Sequence, residues 1–211
     1  MPAGSPATRP WWLFAAAAVF LLVVAVLLIG SFSRPAVLEF EPGAGGGRPA
    51  DGTFVEDTVT LDARDGSSWT FFDLERGRVV DGRVDPDWDL AVQRFHIVTN
   101  GGPGYPGDGG ALALDAPWEA VAEAPETGYR ETAGRLEAGP VNPALERWYE
   151  YSFFAHTLMP SSATYIVRTA EGRYAKFRIL SYYCPGAVPG CLTLRYAVQG
   201  DGSRRLTPTP R

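Results

Sequence analysis

Residues 164–180, with the sequence TYIVRTAEGRYAKFRIL, decide the fold class. Two runs rich in β-branched and aromatic residues, 164–169 and 174–180, flank the four-residue turn Ala-Glu-Gly-Arg. Two such runs on either side of a short turn that contains glycine are typical of a β-hairpin. This part of the chain is therefore predicted to form two neighbouring antiparallel strands.

Short runs of similar composition lie on both sides of this hairpin, and turn-forming pairs such as Asp65-Gly66 separate most of them. None has the long apolar period of 3.6 residues that marks an amphipathic helix. The pattern predicts an antiparallel all-β domain. The other predicted strands are residues 58–61, 69–74, 78–80, 88–92, 94–99, 111–114, 148–154 and 192–199. The aromatic residues expected in its core are Trp69, Phe71, Trp88, Tyr149, Tyr151, Phe177 and Tyr196.

A different pattern occurs near the N-terminus, where residues 11–29 are apolar without a single charge. A helix of this length spans about 28 Å, close to the thickness of the hydrocarbon core of a bilayer. Arg9 and the α-amino group precede the run, and Arg34 follows it. Positive charge before the helix favours a cytoplasmic N-terminus. We predict a single transmembrane helix over residues 11–30, with the C-terminal domain on the extracytoplasmic side.

The same apolar run also fits a secretory signal peptide, with Ser31-Phe32-Ser33 as the cleavage site. Cleavage there would release the remaining chain as a secreted protein. The apolar region of a signal peptide is usually shorter, about 7–15 residues, which favours the uncleaved helix. Both interpretations place the chain after Arg34 outside the cytoplasm.

Composition divides the chain into five parts. They are a cytoplasmic N-terminus (1–10), the transmembrane helix (11–30), a linker rich in Gly and Pro (31–56), the β domain (57–206) and a tail (207–211). The formal net charge is −5, so the chain lacks the strongly basic character that nucleic-acid binding needs. We therefore expect the membrane as a partner and no nucleic acid.

Cys184 and Cys191 are the only cysteines, and they bracket Pro-Gly-Ala-Val-Pro-Gly between two predicted strands. Outside the cytoplasm, two cysteines across one hairpin loop are expected to form a disulfide. A metal-binding pair is the alternative, although it would need further ligands. A disulfide at this place is structural and does not identify a function.

Few residues offer catalytic chemistry. The chain has two histidines, and it lacks both the Gly-x-Ser-x-Gly elbow of hydrolases and a paired-histidine metal motif. We therefore expect that the protein is not an enzyme.

Asp85, Asp87 and Asp89 have the spacing of the first ligands of a calcium loop, but the glycine and the glutamate that complete such a loop are missing. The alternative is a turn that leads into a strand with its polar side chains in solvent.

The second histidine lies among candidate binding residues. His156 is close in sequence to Phe153, Phe154 and Met159. Haem iron accepts His or Met as axial ligands, and an apolar, aromatic wall suits the porphyrin. These residues predict a haem site in which Met159 or His96 is the second ligand. The alternative is that each histidine simply belongs to a strand.

Nine stretches follow one another in a characteristic order: TVTLDA (58–63), WTFFDL (69–74), GRVV (77–80), DWDLA (87–91), RF (94–95), NGG (100–102), WYEYS (148–152), VRTAEGRYAK (167–176) and LRY (194–196). In their order and spacing they resemble the HmuY family of exported bacterial proteins, over roughly residues 57–206. The resemblance implies an all-β HmuY-like domain, here preceded by the transmembrane helix.

For the type members, the resemblance also implies haem held between two axial ligands for iron acquisition. In this chain Phe153 occupies one of the two ligand positions. Residues 116–147, the segment that carries the other ligand in haem-binding members, contain neither His nor Met. The lipid-anchored Cys of the type members is missing too.

Two functional hypotheses follow. The first is a membrane-anchored, extracytoplasmic and non-enzymatic binding module with an extracytoplasmic protein as its partner. The second is a haem- or porphyrin-binding protein in iron acquisition that uses His156 with Met159 or His96.

Overall fold

The chain divides into two compact units. The structure, a computed structural model, describes residues 10–32, 36–46, 54–153 and 155–208. The first unit comprises Met1–Ala36 and Tyr151–Thr157. The second unit comprises Val37–Glu150 and Leu158–Arg211.

The first unit contains helix α1, Trp11–Phe32. Its sequence is dominated by Ala, Leu and Val, and no acidic or basic residue occurs in its first or last turn. Within the described residues, the 20-residue span Trp11–Gly30 is not buried against protein. A helix that is apolar on all sides needs an apolar environment, either a protein core or a membrane. The predicted helix is confirmed as long and apolar enough to cross a membrane. Its orientation remains a prediction.

Antiparallel strands build the second unit. In the described residues the strands are β1 (Phe54–Asp62), β2 (Thr70–Asp73), β3 (Arg78–Val80), β4 (Leu90–Gln93), β5 (His96–Thr99), β6 (Gly110–Leu114), β7 (Tyr149–Ser152), β8 (Thr157–Pro160), β9 (Thr164–Arg168), β10 (Tyr174–Cys184) and β11 (Val188–Gln199). Sheet 1 has the order β1-β11-β10-β9-β6, and sheet 2 has the order β3-β2-β4-β5. β7 and β8 form a two-stranded hairpin, and its tip, Tyr151–Thr157, belongs to the first unit.

The predicted hairpin at residues 164–180 is confirmed as β9 and β10, and the all-β fold class is confirmed with it. Tyr174 pairs with Arg168 at the base of the turn. Thr169 closes the turn, because its N–H donates to Arg173 O at 2.8 Å and its hydroxyl accepts the Arg173 N–H at 3.0 Å. Gly172 has a φ of 80°, a conformation that glycine adopts without steric cost.

Each predicted strand overlaps an observed one, but some local expectations were wrong. Arg94 and Phe95, predicted to begin a strand, form the two-residue turn between β4 and β5, where Arg94 has a φ of 53°. Tyr151, expected in the core, is 54% exposed because it lies at the tip of the β7–β8 hairpin. Strand β8 was not predicted, since its short sequence TLMP ends in a residue that cannot donate to a ladder.

The main core lies between the two sheets. Alternate residues of each strand face it: Phe72 in β2 is fully buried, whereas its neighbour Phe71 is only half-buried. The Phe72 ring packs edge-on against Tyr196 of β11, with 5.5 Å between ring centroids. Trp148 is also buried, and its indole N–H donates to Phe95 O at 2.8 Å. A smaller cluster around Trp88 covers the outer face of sheet 2.

A buried carboxylate joins the two sheets. Asp89 is 2% exposed and accepts the N–H of Leu74, which follows β2, and the N–H of Ala170, in the β9–β10 turn, each at 2.8 Å. Burial, together with the nearby Asp73, raises the pKa of Asp89 well above its ordinary value. The expectation that the polar side chains of this segment face solvent is therefore wrong for Asp89, because two backbone donors hold it inside.

Glu75 forms a second connection to the same turn. Its side chain is buried and accepts the hydroxyl of Thr169 at 3.0 Å. The guanidinium of Arg173 donates to the other carboxylate oxygen of Glu75. The turn between β9 and β10 is thus bound to Glu75, in the loop after β2, by hydrogen bonds from one neutral donor and one charged donor.

Residues 37–46, which belong to the segment predicted as a linker, run along the second unit. The N–H of Phe40 donates to Tyr183 O at 3.1 Å. Gly45 passes so close to Gly77 that a Cβ at position 45 would lie 2.2 Å from Gly77 O, which no side chain could tolerate. Part of the segment therefore packs on the domain, and the linker role of the whole stretch remains a prediction.

The predicted disulfide is confirmed. Cys184 and Cys191 are bonded, with 5.0 Å between their Cα atoms. They lie at the end of the hairpin formed by β10 and β11, and both side chains are buried. The bond therefore closes the base of the loop between these strands.

Asp89 provides a graded test of the connection between the sheets. Asp89→Asn keeps one acceptor, so we expect a loss of about 1–3 kcal/mol in the free energy of unfolding, the cost of one unsatisfied buried amide. Asp89→Ala removes both acceptors and should cost about twice as much. Urea unfolding followed by near-UV circular dichroism measures both. Asp115→Ala, at an exposed position, is the control and should change stability by less than about 0.5 kcal/mol. Equal stability of all three variants would contradict the interpretation.

Candidate functional site

The tip of the β7–β8 hairpin presents His156. The side chain is exposed, and its backbone φ of 53° is unusual for a residue other than glycine. Its Nδ1 atom lies 2.6 Å from the hydroxyl oxygen of Tyr151. The Phe153 ring lies 6.1 Å from the imidazole, measured between centroids, and is 66% exposed.

This arrangement matches one requirement of a metal-ligating histidine. Such histidines normally have one ring nitrogen held by a hydrogen bond, which fixes the orientation of the ring. Because Tyr151 engages Nδ1, a ligand would reach His156 through Nε2. Bound haem would supply an iron atom that accepts an imidazole nitrogen as an axial ligand, and the residues at this tip offer one such nitrogen beside an exposed aromatic ring.

The other predicted haem residues are distributed differently. Met159 lies in β8 and is half-buried, and it belongs to the second unit, as does His96. Phe154 lies outside the described residues. The structure therefore brings together His156 and Phe153 within the first unit. The haem-binding roles of these two residues and of Met159, His96 and Phe154 remain predictions.

His96 borders a small pocket of the second unit. It is exposed at the start of β5, and its ring lies 4.4 Å from that of Phe95. Phe95 in turn meets Tyr149 edge-on at 6.0 Å. The pocket has a volume of about 160 Å³ and is closed by residues such as Leu145. It is smaller than the roughly 300–1,000 Å³ of typical ligand sites.

A larger groove lies on the outer face of sheet 2, with a volume of about 970 Å³. Trp69, Phe71 and Val80 form its apolar part, and all three are half-buried. Trp69 is held in place because its indole N–H donates to Leu136 O at 3.2 Å. The size of the groove is at the upper end of the range of small-molecule sites. We call it the sheet 2 groove.

The rim of the sheet 2 groove is polar and carries both signs of charge. Ser67 and Gln93 contribute neutral hydrogen-bonding groups, Asp81 and Glu137 contribute carboxylates, and Arg83 contributes a guanidinium. Polar groups around an apolar floor are the usual means by which a binding site orients its ligand.

A second, smaller pocket of about 180 Å³ shares Leu136 and Glu137 with the sheet 2 groove. Tyr105 lies in its wall, and within the described part of the chain its buried hydroxyl has no hydrogen-bond partner. Burial, with a contribution from Glu137, raises the pKa of Tyr105 to about 12, so this phenol stays protonated at neutral pH.

The acidic residues of the calcium-like sequence have other partners. Arg76 donates to Asp85 at 2.5 Å and to Asp87 at 3.0 Å, while Asp89 accepts two backbone N–H groups. Among the described residues, no group of three or more His, Cys, Asp or Glu side chains could hold a metal ion. Asp85 and Asp87 therefore belong to an ion-pair network with Arg76, whereas Asp89 is held by the backbone.

Lys176, the single lysine of the chain, is also engaged in contacts that serve the fold. It is 2% exposed, and its ammonium donates to Trp118 O at 3.0 Å and to Val121 O at 2.8 Å. It lies 4.4 Å from the Trp118 ring centroid, and the Arg195 guanidinium lies 4.4 Å from the same centroid. Burial lowers the pKa of Lys176, but its ammonium is engaged in the two hydrogen bonds to backbone carbonyls.

Sequence reasoning missed the sheet 2 groove, because it assigned Trp69 and Phe71 to the core. A signal was present in β2, where Phe71 and Phe72 are adjacent. Neighbouring residues of a strand point to opposite faces, so one of the two rings had to leave the main core. What covers that outer face depends on distant loops, which no local pattern reveals.

Solved structures of the same fold come from several bacteria. An apo HmuY analogue of Tannerella forsythia matches with a TM-score of 0.59 at 18% identity, covering 73% of this chain and 98% of its own. A candidate HmuY-like haem-binding protein of Bacteroides vulgatus matches with a TM-score of 0.56 at 22% identity, covering 81% and 100%. A candidate lipoprotein of Bacteroides fragilis matches with a TM-score of 0.54 at 18% identity, covering 80% and 96%.

No curated protein matches the chain significantly. The structural likeness, at these identities, establishes the fold. The family model described as HmuY protein matches residues 65–196, which is more than half of the chain and contains strands β2 to β10 and most of β11. The chain therefore belongs to the HmuY family.

Proposed function

We propose that the protein is a membrane-anchored, extracytoplasmic binding module without enzymatic activity. Helix α1 anchors it in the bilayer, and an extracytoplasmic protein partner occupies the sheet 2 groove. The observation that carries this proposal is the groove itself, which has a volume of about 970 Å³. Phe71 and Val80 of its floor lie in strands β2 and β3, while most of its rim comes from loops. Strands position binding residues more accurately than loops do.

The bonding of the ionisable groups supports a binding role over catalysis. A catalytic acid, base or nucleophile must have its reactive atom directed towards a substrate. Here the ammonium of Lys176 is held by two carbonyls, and the carboxylate of Asp89 is held by two amides. These side chains serve the fold, and the family membership points in the same direction, since its named members are binding proteins or lipoproteins.

Haem binding at the β7–β8 tip is a second candidate function. One specific observation favours it, the contact of 2.6 Å between Tyr151 and Nδ1 of His156. That contact orients the imidazole as the partner residue of a metal-ligating histidine does. In this proposal His156 would hold the haem iron through Nε2, and the exposed ring of Phe153 would offer an apolar contact to the haem.

Membrane anchoring can be tested in cells that produce the full chain. We expect the protein in the membrane fraction after an alkaline carbonate wash, with Cys184 and Cys191 oxidised. Leu21→Arg combined with Val24→Arg should abolish retention, because each charge costs about 2.5–3.5 kcal/mol at the centre of a membrane helix. Leu21→Val with Val24→Leu is the matched control and should be retained. A soluble product cleaved near Ser31–Ser33 would contradict anchoring and support secretion.

The sheet 2 groove can be tested by filling it. Ser67→Trp places a large side chain at the exposed rim of the groove, and Ser162→Trp places the same side chain at an exposed position outside it. Envelope proteins that co-purify with the full chain from native membranes in mild detergent are compared by mass spectrometry. We expect a partner that is depleted about tenfold, equivalent to about 1.4 kcal/mol of binding energy, in Ser67→Trp alone. Identical sets from both variants would contradict the proposal.

Haem binding can be tested with the full chain in detergent micelles, by adding haemin and recording the Soret band. We expect a band shift that His156→Ala abolishes and His96→Ala retains. Tyr151→Phe should lower the affinity about 10- to 100-fold, since it removes the group that orients the ligand. A spectrum unchanged by haemin, or a shift that survives His156→Ala, would contradict haem ligation by His156.

A further inference from the structure

The loop between β10 and β11 is exposed and carries no charge. We use the word loop for residues 185–189, which are the turn Pro185-Gly186-Ala187 and the first two residues of β11, Val188 and Pro189. All five residues are exposed to solvent. Val188 has 45% of its surface exposed. Contiguous exposed apolar surface is one mark of a site that contacts a protein or a membrane.

The base of this loop is fixed. The disulfide between Cys184 and Cys191 closes it, with 5.0 Å between the Cα atoms. Tyr183 pairs with Pro189 and Cys184 with Val188 across the hairpin. The loop therefore holds its apolar side chains in a defined position, and little conformational freedom remains to be lost when they contact another surface.

The segment that arrives from the membrane helix binds to this same hairpin. Phe40 N–H donates to Tyr183 O at 3.1 Å, and the carboxylate of Glu39 accepts the N–H of Gly186, inside the loop, at 2.9 Å. Leu38 O accepts the hydroxyl of Ser181. The side chain of Leu38 is 63% exposed, so it adds a further apolar group beside the loop.

Chain length limits how far this loop can lie from a bilayer. Helix α1 ends at Phe32, and Leu38 is six residues further along the chain. Six residues span at most about 20 Å even when fully extended. Leu38 is hydrogen-bonded to the β10–β11 hairpin, so the tether is short enough to let the loop reach a membrane that holds α1, whichever side of the membrane the domain occupies.

We propose that residues 185–189 together with Leu38 form a membrane-docking surface that inserts into the interface of the bilayer spanned by α1. The partner is the boundary between phospholipid headgroups and acyl chains, where apolar side chains enter to a depth of about 5–10 Å. None of these residues carries a charge, and the ionisable group bonded to the loop is a carboxylate, that of Glu39. Docking therefore depends on apolar contact and not on anionic lipid. This inference rests on the membrane anchoring proposed above.

The test uses the full chain reconstituted in phosphatidylcholine vesicles. Val188→Cys is labelled with an environment-sensitive fluorophore; the two native cysteines are paired and leave the introduced thiol as the reactive one. Val84→Cys is the matched control, since Val84 is a valine in another loop with 79% exposure. We expect lipids with a nitroxide on the acyl chain to quench about half or more of the fluorescence at position 188, because an interfacial residue lies at the depth of the upper acyl chain. The same lipids should quench little of the fluorescence at position 84.

The outcomes separate this inference from the anchoring on which it rests. Flotation of the vesicles on a density gradient reports anchoring alone. A chain that floats with the vesicles but shows equal quenching at positions 84 and 188 would overturn the docking surface and leave anchoring intact. A chain that does not float would overturn both. Leu38→Cys is the second labelled variant, and quenching there equal to that at position 84 would likewise overturn the proposal.

Discussion

The hydrogen bonds of one buried carboxylate hold the two sheets in register. Hydrophobic contact between sheets is not directional, so it would allow small slides of one sheet over the other. Asp89 removes this freedom, because Leu74 and Ala170 must both keep their N–H groups on the same carboxylate. A buried amide without an acceptor is costly, and the β9–β10 turn therefore has one position relative to sheet 2. Glu75 reinforces that position through Thr169.

The outer face of sheet 2 depends on which side chains of β2 enter the core between the sheets. With Phe72 committed to the core, Phe71 and Trp69 must point outwards, where they form the floor of the groove. Leu136, which comes from a distant loop, is held there by the indole of Trp69. The groove is thus a consequence of the alternation of β2 and of a single side-chain hydrogen bond. The β7–β8 tip with His156 is a separate feature, since it belongs to the other unit.

The sequence was sufficient for the fold and insufficient for the site. Strand composition and turn residues are local signals, so the β9–β10 hairpin and the disulfide loop could both be predicted. The buried position of Asp89 could not be predicted, because a carboxylate close in sequence to Asp85 and Asp87 is expected to face solvent. Its two backbone donors belong to residues 74 and 170, which are distant in sequence. Tyr151 was misjudged for a similar reason: strand periodicity places its side chain, but it does not show that the strand ends in an open tip beside His156.

The position of Lys176 has a consequence for the chemistry of the molecular surface. As the single lysine of the chain, it is enclosed by Trp118 and two carbonyl groups, so the folded domain presents guanidinium groups to its surroundings but no lysine amine. Reagents and enzymes that acylate or cross-link primary amines find no lysine target on the native domain. Reaction at this position would instead report that the segment containing Trp118 has separated from sheet 1.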